Sequence, residues 1–199
     1  MNVNHLFPTP VAFFDLGRTL TEEELAFVEK QERRPNMGNT TSTDNTILKQ
    51  EALKSLNDFI EASVQQYFKE IHAPKHKVDL RITQSWLNYT KPGEYHHKHE
   101  HPNSFISGVF YVNADPEKDK IYFFRSGYQT IKLPPADWNL FNSDSWWFGV
   151  ETGKLVLFPS SLTHMVETKQ GDNTRISLSF NTFPAGTIGE TLDLTGLTL

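Results

Sequence analysis

Cysteine is absent from the 199 residues. Disulfide frameworks, thiolate metal sites and thiol nucleophiles are thereby excluded, and the chain carries no sign of its redox compartment. Cationic excess is also missing: 19 Lys and Arg against 24 Asp and Glu leave a net charge of −5, with no basic run. Nucleic acid is therefore not an expected partner, because too few cations are available to neutralise phosphates. Long apolar stretches are lacking too, and none approaches the roughly 20 residues of a membrane span. Met1-Asn2-Val3-Asn4-His5 has neither the basic start nor the apolar run of a secretory signal. The expectation is a soluble, cytoplasmic protein with no membrane partner. Hydrophobic residues are scarce at 37%, but 15 Phe, 6 Tyr and 4 Trp supply enough bulky apolar area for a core.

Helical signals fall in the first 75 residues, after a short apolar, Pro-punctuated extended segment from Leu6 to Leu16. Thr21-Glu22-Glu23-Glu24 has capping-box spacing ahead of an amphipathic run, Leu25 to Arg33. Pro35 to Asp44 is polar and turn-rich and reads as a loop. A second helix is expected from Asn45 to Ile71, with Leu48, Leu53, Leu56, Phe59, Ile60, Val64 and Phe68 approximating one face. After Lys75 the period changes to two. Strands are expected at 78–82, 85–90, 105–112, 120–124, 155–158 and 175–183, separated by Pro, Gly and Asn-rich turns. No linker or repeat divides the chain. It reads as a single domain over 1–199, with mainly helical support (1–75), a β core (76–185) and a C-terminal tail (186–199).

Four of the eight histidines, His96, His97, His99 and His101, lie within six positions. On an extended backbone alternate side chains share a face, so His97, His99 and His101 point one way, with His96, Lys98 and Glu100 opposite. Two imidazoles two positions apart can hold one metal ion, with a third ligand from a distant strand. His164, after a Phe158-Pro159 corner, is the candidate for that third ligand. The pair is either His99 with His101 or, in the alternative register, His97 with His99. Binding needs neutral imidazoles, so affinity is expected to fall below about pH 6. The alternative is a solvated His-rich turn. Beyond His164, Arg175, Ser177 and Ser179 share one strand face, and Ile176, Leu178 and Phe180 share the other. An inward Arg needs an anionic partner, and a guanidinium fork with a nearby hydroxyl suits a carboxylate.

These strings resemble a known family. The order His99-Glu100-His101-Pro102, Ser107-Gly108-Val109-Phe110-Tyr111, Phe158-Pro159, His164 and Arg175-Ile176-Ser177-Leu178-Ser179-Phe180-Asn181 is similar to that of 2-oxoglutarate/Fe(II)-dependent oxygenases of bacteria and phages. The likeness spans about Trp86 to Phe183. It implies an α+β fold: a double-stranded β-helix (jelly-roll or cupin-like) core with N-terminal supporting helices. It further implies Fe(II) held by His99, His101 and His164, 2-oxoglutarate as co-substrate, and molecular oxygen as co-reactant. A C–H bond of a small-molecule or peptide substrate would be oxidised. Arg175, helped by Ser177, would bind the distal carboxylate of 2-oxoglutarate, with Asn88 and Tyr111 lining the same cavity. No catalytic residue is expected beyond these ligands. The usual carboxylate ligand is replaced, since no His here is followed two positions later by an acid.

The same strings resemble the two cupin motifs, at Gly93 to His101 and Gly153 to His164. That leaves a cupin-type dioxygenase or isomerase, or a non-catalytic metal-binding module, as rivals. No phosphate-binding Gly-rich loop or nucleophile elbow is present. The aromatic cluster Trp138, Phe141, Trp146, Trp147 and Phe148 reads as either core or a substrate-facing flap.

Overall fold

The computed structural model describes residues 1–127, 131 and 133–199. Its strands form two antiparallel sheets. The larger runs in the order β1 (Ala12–Asp15), β9 (Lys154–Pro159), β6 (Ile106–Asn113), β11 (Arg175–Ile188), β4 (Val78–Thr90), β3 (Thr40–Ser42) and β2 (Arg33–Pro35). A last short strand, β12 (Leu197–Thr198), pairs with the end of β11. The smaller sheet is β5 (His96–His99), β10 (His164–Val166), β7 (Lys120–Phe124) and β8 (Ser145–Gly149). The two sheets share no strand among the described residues.

The central strands of the large sheet are buried on both faces, and strand alternation decides which layer each side chain joins. On β6, Ile106, Phe110 and Val112 enter one core with Leu155 and Leu157 of β9 and Ile176, Leu178 and Phe180 of β11. Val109 and Tyr111 enter the other with Val156 and Phe158 of β9 and Ile121 and Phe123 of β7. The first core lies against the helices, and the second lies between the sheets. Gly108 is where the packing is tightest. A Cβ there would stand 2.1 Å from Phe180 Cζ, so only glycine lets that ring cross the strand.

Helix α1 (Glu22–Glu29) starts with the expected capping box: Glu24 N donates to Thr21 Oγ1 at 3.1 Å and Thr21 N to Glu24 Oε2 at 2.8 Å. It ends before Arg33, which belongs to β2. Helix α2 (Lys54–Tyr67) buries Leu56, Ile60, Val64 and Tyr67 on one face and continues into a wider π turn, Phe68–His72. The expected unbroken helix from Asn45 is not formed. Residues 47–53 make two 3₁₀ turns instead, because β4 claims their backbone: Leu48 N donates to Ser85 Oγ and Ser85 N to the Asn45 carbonyl, both at 2.9 Å.

Three further segments carry strand. β1 lies inside the extended segment expected from Leu6 to Leu16, and β2 and β3 add strand to the mainly helical first 75 residues. Much of the expected loop from Pro35 to Asp44 is a hairpin whose hydroxyls bond β4, with Thr41 Oγ1 donating to the Leu87 carbonyl (2.8 Å) and Leu87 N to Ser42 Oγ (3.0 Å). The C-terminal tail is partly strand, with Thr187 opposite Thr198. No helix among the described residues is long and apolar enough to cross a membrane.

This layout places α2 behind the sheet, away from the space between the sheets. Leu56 is fully buried, so Leu56→Ala should destabilise the protein by roughly 2–5 kcal/mol. Phe59 is only partly buried and should cost less when truncated. Metal affinity, measured by titration of the folded variants, should be unchanged. A large loss of affinity without loss of stability would contradict the layering.

Candidate metal centre

The space between the sheets narrows to a pocket that draws on both. Trp86 of β4, Tyr111 of β6 and Arg175, Ser177 and Ser179 of β11 come from the large sheet, and His96, His99, His164 and Met165 from the small one. His101, just past β5, joins them. His164 stands opposite His99 in the β10–β5 ladder, which brings the two rings to 4.3 Å between centroids. His101 stacks on His164 at 5.0 Å, and its Nε2 lies 3.2 Å from His164 Nε2. The three rings present nitrogens that all lie within 4.8 Å of one another. With metal–nitrogen bonds of about 2.0–2.1 Å, two ligands at right angles are separated by about 3 Å, close to the His101–His164 spacing.

Two of the rings are oriented from behind. His99 Nδ1 lies 2.7 Å from the His97 carbonyl, and His164 Nδ1 lies 2.9 Å from the Leu162 carbonyl. A carbonyl can only accept, so each Nδ1 carries the proton and each Nε2 keeps its lone pair for an ion. Trp86 packs 5.8 Å from His101 and Phe158 packs 4.7 Å from His164, keeping water off those faces. Burial disfavours the charged imidazolium, pushing His164 down to about 3 and His101 to about 4, with neighbouring histidines adding to both effects. His99 is lowered for the same leading reason. Burial thus favours the neutral, ligating form of all three rings.

Arg175 is the charged counterpart. The residue is 1% exposed, and Nη2 donates to Thr90 Oγ1 at 3.3 Å. Nε and Nη1 are buried and have no hydrogen-bond partner among the described residues. Asp119, the carboxylate whose charge reaches Arg175, is engaged elsewhere by Lys169 at 3.4 Å and by the Asp115 backbone N–H at 2.8 Å. A buried guanidinium with two idle donor nitrogens fits an anionic ligand. The residues present thus fit both a divalent metal and a carboxylate in one chamber.

Not every candidate reaches the pocket wall. Ser177 and Tyr111 do, and burial raises the Tyr111 hydroxyl far above its usual range. Asn88 shares the β4 face of Trp86 and Thr90, but donates to Ser179 Oγ at 3.0 Å and is not on the wall. Glu100 points away, as expected, and accepts a hydrogen bond from the Thr163 hydroxyl. None of the five aromatics from Trp138 to Phe148 lines the pocket. Trp146, Trp147 and Phe148 lie on β8, with the two indoles exposed and Phe148 packed on the second core.

His96 was missed by strand alternation. A register irregularity between β5 and β10 turns it toward the pocket, where it stacks on His99 at 4.8 Å with 14° between planes. No sequence signal marks such an irregularity.

A family match covers residues 84–181 and bears the description "Putative 2OG-Fe(II) oxygenase". No curated protein matches the chain. Among solved structures, the chain is similar to a 2OG-Fe(II) oxygenase-family oxidoreductase from Burkholderia pseudomallei, with TM-score 0.57 and 13% identity over 79% of this chain and 74% of that one. HygX from Streptomyces hygroscopicus, solved with nickel, 2-oxoglutarate and hygromycin B bound, gives TM-score 0.60 and 12% identity over 87% and 82%. A Pseudomonas putida prolyl-4-hydroxylase gives 0.53 and 15% over 87% and 92%. At such identities these likenesses establish the fold, a double-stranded β-helix.

Burial lowers the proton affinity of all three rings, so proton competition for the metal should begin below the ordinary histidine range. In the metal-free protein the unfolded chain binds protons more readily than the folded one below about pH 6.5, so stability should fall as pH drops. The slope should reach about 1.4 kcal/mol per pH unit for each buried histidine. Urea midpoints between pH 7 and pH 4.5 test this, and His164→Leu should flatten the curve. A midpoint indifferent to pH would show that the imidazoles are not desolvated.

Proposed function

We propose that the chain is a 2OG-Fe(II) oxygenase in which His99, His101 and His164 hold the iron while Arg175 anchors 2-oxoglutarate, a reading that the family match over residues 84–181 supports. The observation that carries this reading is the buried Arg175 guanidinium, whose Nε and Nη1 have no hydrogen-bond partner among the described residues, in the same pocket as the three imidazoles. When bound, iron and 2-oxoglutarate would let molecular oxygen, the oxidant, hydroxylate a C–H bond, one oxygen atom going to the substrate and the other to succinate as 2-oxoglutarate loses carbon dioxide.

The chain's own residues bind, orient and exclude. Three neutral imidazoles from β5, its following turn and β10 offer Nε2 lone pairs from one side of the pocket. Arg175 offers a planar fork from β11, and Ser177, two positions on, offers a hydroxyl to the same carboxylate. Tyr111 gives that end of the pocket a buried wall. Trp86, Phe123 and Phe158 surround His101 and His164 with aromatic surface, so the ligating side is dry. The substrate, a small molecule or a peptide side chain, enters by the side of the pocket that the ligands leave free. The cytoplasm is the proposed compartment.

Replacing the usual carboxylate ligand by His101 leaves the metal with one more unit of positive charge. A dianionic co-substrate held by the metal and Arg175 would offset that added charge and the charge of the guanidinium.

Loss of one partner of a buried charged pair costs roughly 3–5 kcal/mol. Arg175→Ala should therefore weaken 2-oxoglutarate binding by at least about two orders of magnitude, and Arg175→Lys should recover only part of the loss. Metal content should be unchanged in both variants and should collapse in His99→Ala and His164→Ala. Anaerobic calorimetric titration of the iron-loaded protein reads the first effect and elemental analysis the second. Equal 2-oxoglutarate affinity in wild type and Arg175→Ala would overturn the assignment.

A further inference from the structure

Beside the first histidine triad lies another. His96, His97 and His99 also present ring nitrogens that lie within 4.8 Å of one another. The His97 ring is 4.6 Å from the His99 ring, and His96 stacks on the same ring at 4.8 Å. His97 Nδ1 is buried and has no hydrogen-bond partner among the described residues. A buried nitrogen of this kind requires an explanation, and an ion supplies one. The adjacent cation does not interfere, because Lys98 turns outward and seats its ammonium 3.7 Å from the centre of the Phe124 ring.

We infer that His96, His97 and His99 form a second site for a borderline divalent cation such as Zn²⁺, Ni²⁺ or Cu²⁺, and that the two triads compete for His99. The donor set is purely imidazole, which suits these metals and offers nothing to Mg²⁺ or Ca²⁺. Sharing follows from the orientation of His99. Its Nδ1 is committed to the His97 carbonyl, so Nε2 is its one free nitrogen, and one lone pair binds one ion. An ion on the second triad therefore removes a ligand from the first and draws His96 away from the pocket wall. Excess metal is expected to displace the working arrangement rather than reinforce it. The inference rests on His99 belonging to the first triad, as proposed above.

The test uses the full chain with the first triad disabled. His101→Ala/His164→Ala should still bind a single equivalent of Zn²⁺ with micromolar affinity, read by competition with a chromogenic chelator. Adding His96→Ala and His97→Ala should weaken that binding by more than about a hundredfold, since two of three ligands are lost. A double variant that binds no Zn²⁺, or a quadruple variant that binds as tightly, overturns the inference. If the double variant fails to fold, the unmutated protein with isotopically labelled histidines decides. Excess Zn²⁺ should then shift the His96 and His97 ring resonances. If Zn²⁺ shifts His101 and His164 but never His96 and His97, the first triad stands and the second falls.

Discussion

The pleat of the four central strands is the constraint on which everything else depends. In β4, β6, β9 and β11, one set of alternate residues packs toward the helices and the other faces the space between the sheets. Arg175 and Ser177 face the pocket because Ile176 and Leu178 face the first core, and a shift of one residue would exchange them. The register of β11 against both β4 and β6 thus sets the position of the anion-binding end, while the helices and Phe180 hold that register by filling the opposite face. The apolar layer behind the sheet is the reason the polar residues in front can be so sparsely bonded.

That sparseness has an energetic character. The pocket holds one cation without an anion and several imidazoles kept neutral by burial. Desolvation opposes charge on the histidines and penalises the guanidinium, which cannot release its proton. A ligand carrying negative charge relieves the second cost, and a metal ion uses the lone pairs that the first preserves. Both should raise stability by mass action when they bind the folded chain alone. The same feature gives selectivity, since a neutral molecule of similar shape gains nothing from Arg175.

Much of this was legible from residues alone. The His99, His101 and His164 assembly follows from spacing, and the shared face of Arg175 and Ser177 follows from period two. The α1 capping box stands where Thr21 and Glu24 predict it. What escaped is equally specific. The β2–β3 hairpin is short and polar, and its place is set by Thr41 and Ser42 hydroxyls bonding β4, a long-range interaction with no local pattern. Strand β8 carries Trp146, Trp147 and Phe148 in succession, so both its faces are aromatic and alternation cannot reveal it. The turns at 47–53 look helical in sequence because the competing partner, Ser85, is far away along the chain. His96 reaches the pocket through a register irregularity, and periodicity arguments fail wherever the period itself is broken.

The pairing order also has a consequence for how the protein is made. Strand β1 finds its partner only in residues 154–157, and Thr90 meets Arg175 only after the last third of the chain exists. At about 5–20 residues per second, a ribosome exposes the first strands for several seconds before their neighbours emerge. Such distant pairings close slowly, because the loop entropy must be spent before contacts return it. During that interval β1 and the β11-facing edge of β4 stay open to the cell, and shielding them falls to whatever binds nascent chains. The histidines and the arginine meet only at the end of synthesis, so metal and co-substrate act on a completed sheet and cannot template it.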